Sequence, residues 1–562
     1  MGRMNLKKDS ILKRKVSRRY ALSTAAKIGI SAVVAGVAGG IIGYAIKPTA
    51  PPVTTTVTKT ATVTAPATTT TVTKVVTKTV TAPATTIKRV AISDIWGPGP
   101  WDSINWDKPL SWPERLRRVK IGKIPDHWID KFSFLETYRP DKIAAIGGYV
   151  LPEGWKEAIK GVDKLRFLNY GGMPHDPATA MGFAAFEDLT GITIEYEEME
   201  ELTLWEKTVS ILTAKSPEID ILDLTAVYYT SIVAKRHWAM PLDFFWPEDV
   251  LALYSPAVKD IGMYNGHWWS GAYISTKPFM PFIRKSWLKE ATGSTRLPKT
   301  WKELVSVLRK IAKWAKENLG EGYYGWAVPG KDYRYMWRIC TVPFFSLGGE
   351  LVTPDGKINV TSKEWRMVNK MLVDLFKEGV IPKEALGWSW TEAPEVFGRG
   401  KAGFVLAGTV QAVRFSNPKL SPGIQDDWLP MEPLSWDVGY PKATCEESSQ
   451  ALMISPFISD EKKAAVLLFL DLYRSNQAQW NEVAYEGNET LNVPLYERPD
   501  VIERLVAGRE RRMAVQYSRA VMYPPIIDMA MKIWHEWFQR AALGEVSVDE
   551  ALENAQEEIN KL

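Results

Sequence analysis

A segment with almost no large apolar side chain cannot build a core, and residues 48–87 are such a segment. Of these 40 residues 18 are threonine and none is acidic, and Val-Thr-Ala-Pro-Ala-Thr-Thr occurs at 63–69 and again at 80–86. Such side chains bury too little to offset the entropy of ordering, so a disordered, extended and solvated stalk is expected. At ~3.1 Å per residue it reaches at most about 120 Å. Folding is thereby confined to the roughly 475 residues that follow, enough for two or three domain-sized units.

Ahead of the stalk lies an uncharged apolar run, 28–46, preceded by basic sequence that ends in Ser17-Arg18-Arg19-Tyr20. As a helix this run measures about 28 Å, close to the ~30 Å hydrocarbon core of a bilayer. The arginines keep their side in the cytoplasm, so the chain beyond is expected outside the cell, anchored in the cell membrane. Ser17-Arg18-Arg19-x-x-Leu22 resembles a twin-arginine export signal peptide, and a plain anchor with topology-setting arginines accounts for the same residues. No small-x-small cleavage site precedes Pro48, which favours a retained transmembrane helix.

The formal net charge of +5 mixes unlike parts. Residues 1–47 carry ten bases and one acid, and 48–90 carry five bases and no acid, leaving 55 bases against 64 acids in 91–562. The folded portion is thus acidic, which argues against nucleic acid and suits neutral or cationic ligands. Two cysteines, Cys340 and Cys445, exclude a disulfide framework and a thiolate cluster. They either pair outside the cell or remain buried thiols. Asn359-Val-Thr361 and Asn488-Glu-Thr490 are glycosylation sequons.

Residues 88–162 scatter tryptophans among prolines and basic residues without a period, as in a loop-rich extension of unknown role. From Lys164 strands and helices alternate: strands at 165–170, 192–196 and 219–224, helices at 179–190 and 203–214. That alternation implies an α/β sheet with crossover connections. Thr300-Trp301-Lys302-Glu303 and Ser547-Val548-Asp549-Glu550 are capping boxes that open helices, and an apolar run places a buried helix at 461–475.

No enzyme signature is found. The five histidines are scattered, and His-Glu-x-x-His, Gly-x-Ser-x-Gly, P-loop and Gly-x-Gly-x-x-Gly patterns are absent from the sequence. Neither a metal nor another cofactor is implied. What stands out is tryptophan, 24 in all and every one after residue 88. An indole offers a flat apolar face and one N–H donor, a match for the C–H faces of sugar rings. Most tryptophans fill cores, but Trp268-Trp269, Trp388 with Trp390, and Tyr228-Tyr229 fall where loops are expected, and aromatics there call for a ligand.

A family resemblance rests on several motifs in order. Phe186-x-x-Leu189-Thr190-Gly191-Ile192 comes first, then Met263-Tyr264-Asn265-Gly266-His267-Trp268-Trp269 and Leu297-Pro298-Lys299-Thr300-Trp301-Lys302-Glu303. Phe397-Gly398-Arg399-Gly400-Lys401-Ala402-Gly403, Gly408-Thr409, Ser455-Pro456 with Lys462 to Leu470, and the closing stretch 547–559 follow. Together, over roughly 163–562, they resemble the extracellular solute-binding proteins (family 1) of ABC importers, in the maltose and oligosaccharide subgroup. The resemblance implies an α/β, two-lobed periplasmic-binding-protein (Venus-flytrap) fold with a hinge. Lobe one would take 163–275 and 442–496, lobe two 277–440 and 500–562.

It also implies the absence of turnover, a carbohydrate ligand in the cleft, and permease subunits in the membrane as partners. By position it implies ligand contacts from Asp223, Tyr228 and Tyr229 in the loop after the third strand, and from Trp268 and Trp269. Trp337, Arg338 and Trp390 would face them from lobe two. Glu447 and Ser448 stand where many members have Gly-Gly-Ser, and Val410 where some place a stacking tryptophan. Relatives of this fold also take polyamines, metal ions or peptides, and a stalked glycoside hydrolase is the alternative of another class.

Overall fold

The computed structural model describes the strands at 56–65 and 68–77 and residues 90–562, except for 107–121, 139–141, 144–147, 171–176, 200, 256, 276, 446–448, 487, 491 and 504. Two compact units result, Met1–Ala84 and Thr85–Leu562. In the first, Thr56–Ala65 and Thr68–Thr77 pair as an antiparallel ribbon where an unpaired stalk was expected. Threonine and valine are β-branched and favour extended backbone, which accounts for the pairing. The apolar run 28–46 lies outside the described residues. Among those described, no helix is long and apolar enough to cross a membrane.

The second unit holds two sheets. The first has the order Ala272–Ser275, Gln450–Ile454, Ile221–Thr225, Lys164–Tyr170, Thr193–Met199. Its last three strands are parallel and its first two join antiparallel. The crossovers are the helices Pro177–Thr190 and Glu201–Thr213, as the alternation of apolar runs predicts. The second sheet has the order Tyr324–Ala327, Ala402–Gly408, Phe279–Arg284, Trp428–Pro430, with one parallel pair. Ile221–Thr225, Phe279–Arg284, Ala402–Gly408 and Gln450–Ile454 are buried at every position, the mark of strands covered on both faces.

The chain passes between the sheets three times. It leaves the first at Ser275 and enters the second at Phe279, then returns through Thr444–Cys445 to Gln450–Ile454. After the helices Asp460–Tyr473 and Asn476–Asn481 it crosses again by Ser518–Arg519, which pairs in parallel with Thr444–Cys445. The helix Ile527–Leu543 then packs on Lys363–Lys377 and Val548–Ile559 beside the second sheet.

The described residues of the 88–162 extension dock on the first lobe, mainly as short helical turns. Trp96 donates from Nε1 to the Pro241 carbonyl at 2.7 Å, and Trp128 from Nε1 to Asp188 at 2.7 Å. Lys131 pairs with Glu187, and Tyr149 donates to Asp471 on the Asp460–Tyr473 helix. That helix is therefore covered on both sides. Phe469 meets Phe167, Phe183 and Phe186 beneath it, while Pro100–Ser103 and Trp155–Ala158 lie over it.

Candidate functional site

The two lobes meet through the N-terminal turns of the helix Tyr333–Ser346. Asp332 caps it, its Oδ1 accepting from the amides of Arg334 (3.0 Å) and Tyr335 (3.3 Å). Burial pushes the Asp332 carboxyl up, against the lowering effect of Arg338 and these amides. Arg334 and Arg338, four residues apart, emerge on one helix face and both reach lobe one.

Arg334 is the centre of the contact. Its Nη1 lies 3.0 Å from Glu201 of lobe one, and its Nη2 donates to the Tyr229 hydroxyl at 2.8 Å. The same Nη2 reaches Asp528 of lobe two at 2.8 Å, where Tyr333 also donates at 2.8 Å. Burial alone would lower the Arg334 pKa, but Glu201, Tyr229, Tyr333 and Asp528 raise it instead. Burial would likewise raise Asp528, and the Arg334 guanidinium overrides it to hold the carboxyl below the usual range.

Arg338 donates from Nε to the Tyr228 hydroxyl at 2.8 Å, with its guanidinium 4.5 Å from the Tyr335 ring and 5.2 Å from that of Tyr228. Burial raises the Tyr228 pKa to about 12 despite Arg338 and Arg334, so this phenol stays protonated at neutral pH. Aromatic faces frame the pair. Trp205 stacks on Tyr229 at 4.0 Å and 22°, and Tyr228 faces Tyr523 at 6.3 Å and 14°. Trp337 donates from Nε1 to the Tyr523 hydroxyl at 3.1 Å. A cavity of about 10 Å³ remains among Tyr228, Trp337, Arg338, Cys445, Arg519 and Tyr523, room for no more than one water.

Of the sequence-derived positions, Tyr228, Tyr229, Trp337 and Arg338 come together here. Tyr228 and Tyr229 belong to the helix Ala226–Lys235, not to a loop, because the third strand passes directly into helix at Thr225. Trp390 stacks on Tyr335 at 5.5 Å and 11° and is 37% exposed, at the rim of lobe two. Asp223 lies within the first sheet, accepting from Gln450 Nε2 at 3.3 Å.

Trp268 and Trp269 are placed elsewhere. They follow the turn of a short hairpin, Met263–Tyr264 with His267–Trp268, and are buried in lobe one. Trp268 stacks on Trp246 at 5.0 Å, and Trp269 donates to the Tyr264 carbonyl at 3.1 Å. Their aromatic surface is covered by lobe one itself. Glu447 and Ser448 lie outside the described residues. Both cysteines are buried free thiols. Asn488 is buried and donates to Glu482 at 3.0 Å, so its sequon has no room for a glycan.

Glu201, Trp205, Tyr333, Arg334, Tyr335, Tyr523 and Asp528 complete the cluster without having been singled out in the sequence. The four-residue spacing of Arg334 and Arg338 behind a capping Asp332 was the one local signal for Arg334. Chemically the cluster offers flat apolar faces, hydroxyls that donate and accept, and guanidiniums that donate. Arg334 is compensated by two carboxylates, so the arrangement suits a polar, hydroxyl-rich ligand more than a strongly charged one.

The model of the family described as bacterial extracellular solute-binding protein matches residues 172–480. Among solved structures the chain is similar to maltose-bound MalE3 of T. maritima, at 20% identity and a TM-score of 0.60, over 71% of this chain and 99% of that one. It is similar to an ABC transporter solute-binding protein of Agrobacterium radiobacter K84 in complex with ribitol, at 20% identity, TM-score 0.61, 72% and 99% coverage. The sugar-binding protein MalE of Xanthomonas citri matches at 19% identity, TM-score 0.60, 71% and 96% coverage. The fold of residues beyond the extension is accordingly the two-lobed periplasmic-binding-protein fold.

Proposed function

The chain belongs to the bacterial extracellular solute-binding protein family, and we propose that it captures a carbohydrate, foremost an oligosaccharide, between its lobes and delivers it to the permease of an ABC importer. One observation carries the choice of ligand. Where the lobes meet, Tyr228, Tyr229, Trp205 and Glu201 of lobe one face Arg334, Arg338, Trp337, Tyr523 and Asp528 of lobe two, with Arg334 bonding to both sides. Aromatic faces suit sugar C–H surfaces, and the arginine and tyrosine groups suit sugar hydroxyls. The binding of maltose and ribitol by structural neighbours fits this reading.

Closure follows from the same geometry. Tyr228 and Tyr229 of one lobe already bond Arg338 and Arg334 of the other, with room for no more than one water between them, so a sugar enters only once the lobes part, and one that then bonds residues of both lobes favours their closing around it. The Thr-rich segment and the apolar run before it would hold the binding unit at the outer face of the membrane. A tethered catcher keeps a high effective concentration beside its permease.

The test uses the unit Thr85–Leu562, screened by thermal shift against mono- and oligosaccharides while the same mixtures are assayed for hydrolysis. Stabilisation by a small set of sugars without turnover is the expected result. Turnover, or indifference to every sugar alongside stabilisation by a polyamine or peptide, would overturn the proposal.

A further inference from the structure

The chain carries two glycosylation sequons, and the fold treats them oppositely. Asn488 is 2% exposed and its side-chain amide already donates to Glu482 at 3.0 Å. Asn359 stands just before the helix Lys363–Lys377. Its neighbours Ile358 and Val360 are buried while Asn359 is half-buried, the alternation of an extended segment that turns every second side chain outward. Gln556 holds this backbone on both sides. Its Nε2 donates to the Ile358 carbonyl at 3.0 Å, and its Oε1 accepts from the Val360 amide at 2.8 Å.

The Asn359 side chain is oriented as well. Its Oδ1 accepts from the Thr361 amide and from the Thr361 hydroxyl, each at 3.0 Å, an Asx turn closed within the sequon. With a backbone N–H aimed at it, that atom can only be the oxygen. The carboxamide nitrogen Nδ2 is left without a partner among the described residues, and it is not a buried atom: it is open to solvent.

A groove opens beside the sequon. Thr361, Lys363, Arg366, Lys370, Lys377 and Ser547 line a concavity of about 550 Å³ between the helices Lys363–Lys377 and Val548–Ile559. Arg366 is tied down, donating to the Thr361 carbonyl at 3.0 Å and to Asp549 at 2.6 Å. Lys363, Lys370 and Lys377 recur every two helical turns and are all exposed, so they form one stripe of ammonium donors along the groove. Donors on apolar stems suit sugar rings, whose hydroxyls accept and whose C–H faces are apolar.

The geometry points to Asn359 as an N-glycosylation site whose glycan lies along this groove, and to Asn488 as a sequon that stays bare. Nδ2 is the acceptor atom. It bonds to C1 of a glycan carried on a lipid-linked phosphate, the C1–O bond to phosphate breaks with its electron pair leaving on the phosphate, and one amide proton passes to solvent. A glycosyl transferase with that lipid-linked donor supplies the glycan. The inference rests on the extracellular placement of the family and not on what the cleft binds, so its failure leaves the ligand reading untouched.

The test is peptide mapping by mass spectrometry of the full chain, exported in a cell whose envelope proteins receive N-linked glycans, with an exported sequon-bearing reporter as the control. The peptide with Asn359 should carry a glycan mass and the peptide with Asn488 none. Asn359→Gln and Thr361→Ala should each lose that mass, and Thr361→Ser should keep it. In the glycosylated chain Lys363 and Lys377 should react more slowly with an amine-acylating reagent than in Asn359→Gln. A bare Asn359 beside a modified reporter, or equal occupancy of the two asparagines, overturns the site. Equal lysine reactivity in the two forms overturns the groove as the bed of the glycan.

Discussion

Arg334 touches both lobes with one guanidinium, and its neighbours make the consequences of losing it calculable. Arg334→Ala removes the cation shared by Glu201 and Asp528 and leaves Asp528 only its pair with Lys532, at 3.0 Å. Removing one partner of a largely buried ion pair costs about 3 kcal/mol. The expected outcome is a lower denaturant midpoint and a larger radius of gyration in solution scattering. The pH dependence has a definite sign. Asp528 has its folded pKa depressed, so its contribution is whole above the ordinary carboxylate pKa and is lost as pH falls through the lowered folded value. In the Arg334 variant this acid-side loss should shrink, measured as stability against pH. Tyr228 and Tyr229 stood out because they follow the third strand, where a loop was expected; they lie on a helix and meet the other lobe from there. Arg334 did not stand out, since a lone arginine in a helix looks the same whether it faces solvent or the other lobe.

At the scale of elements, local chemistry was the most readable. Thr300 accepts from the Glu303 amide at 3.1 Å, and the Glu303 carboxylate accepts from the Lys299 amide at 2.8 Å, a displaced version of the capping box read from the sequence. The helix Trp301–Leu319 then ends at Gly320. Thr300→Ala should cost about 1 kcal/mol, seen as a drop in Tm. Packing between elements was not readable. Gly182 sits inside the helix Pro177–Thr190, where alanine would ordinarily stabilise by about 1 kcal/mol. Its added Cβ would meet the Tyr473 hydroxyl at 2.4 Å, from a ring anchored by a bond to the Thr179 carbonyl. Gly182→Ala is therefore expected to destabilise by about 1–3 kcal/mol, with thermal unfolding as the check.

For the whole molecule, the described residues of the 88–162 extension pack as part of lobe one. Trp101 and Trp128 are 3% exposed, and both belong to the main core cluster. A chain beginning at residue 163 should unfold at lower temperature than Thr85–Leu562 and self-associate, because it bares the apolar face of the Asp460–Tyr473 helix. Light scattering and a melting curve would show it, and equal stability of the two forms would mean that the extension is an appendage. The tryptophans illustrate the same dependence on context. Trp268 and Trp269 share the composition of a sugar platform, yet lobe one covers them with Trp246, whereas Trp390 stacks on Tyr335 and stays 37% exposed.

The sequence by itself determined the alternation that makes α/β sheets, the helix caps and the family, because each depends on residues close together in the chain or on motif order. Which aromatics meet between the lobes, that Arg334 bridges the lobes and that the described residues of 88–162 pack on lobe one were decided only by the tertiary structure. Those contacts join residues from about 60 to more than 300 positions apart. Burial of an aromatic ring or a guanidinium depends on what the rest of the chain brings against it.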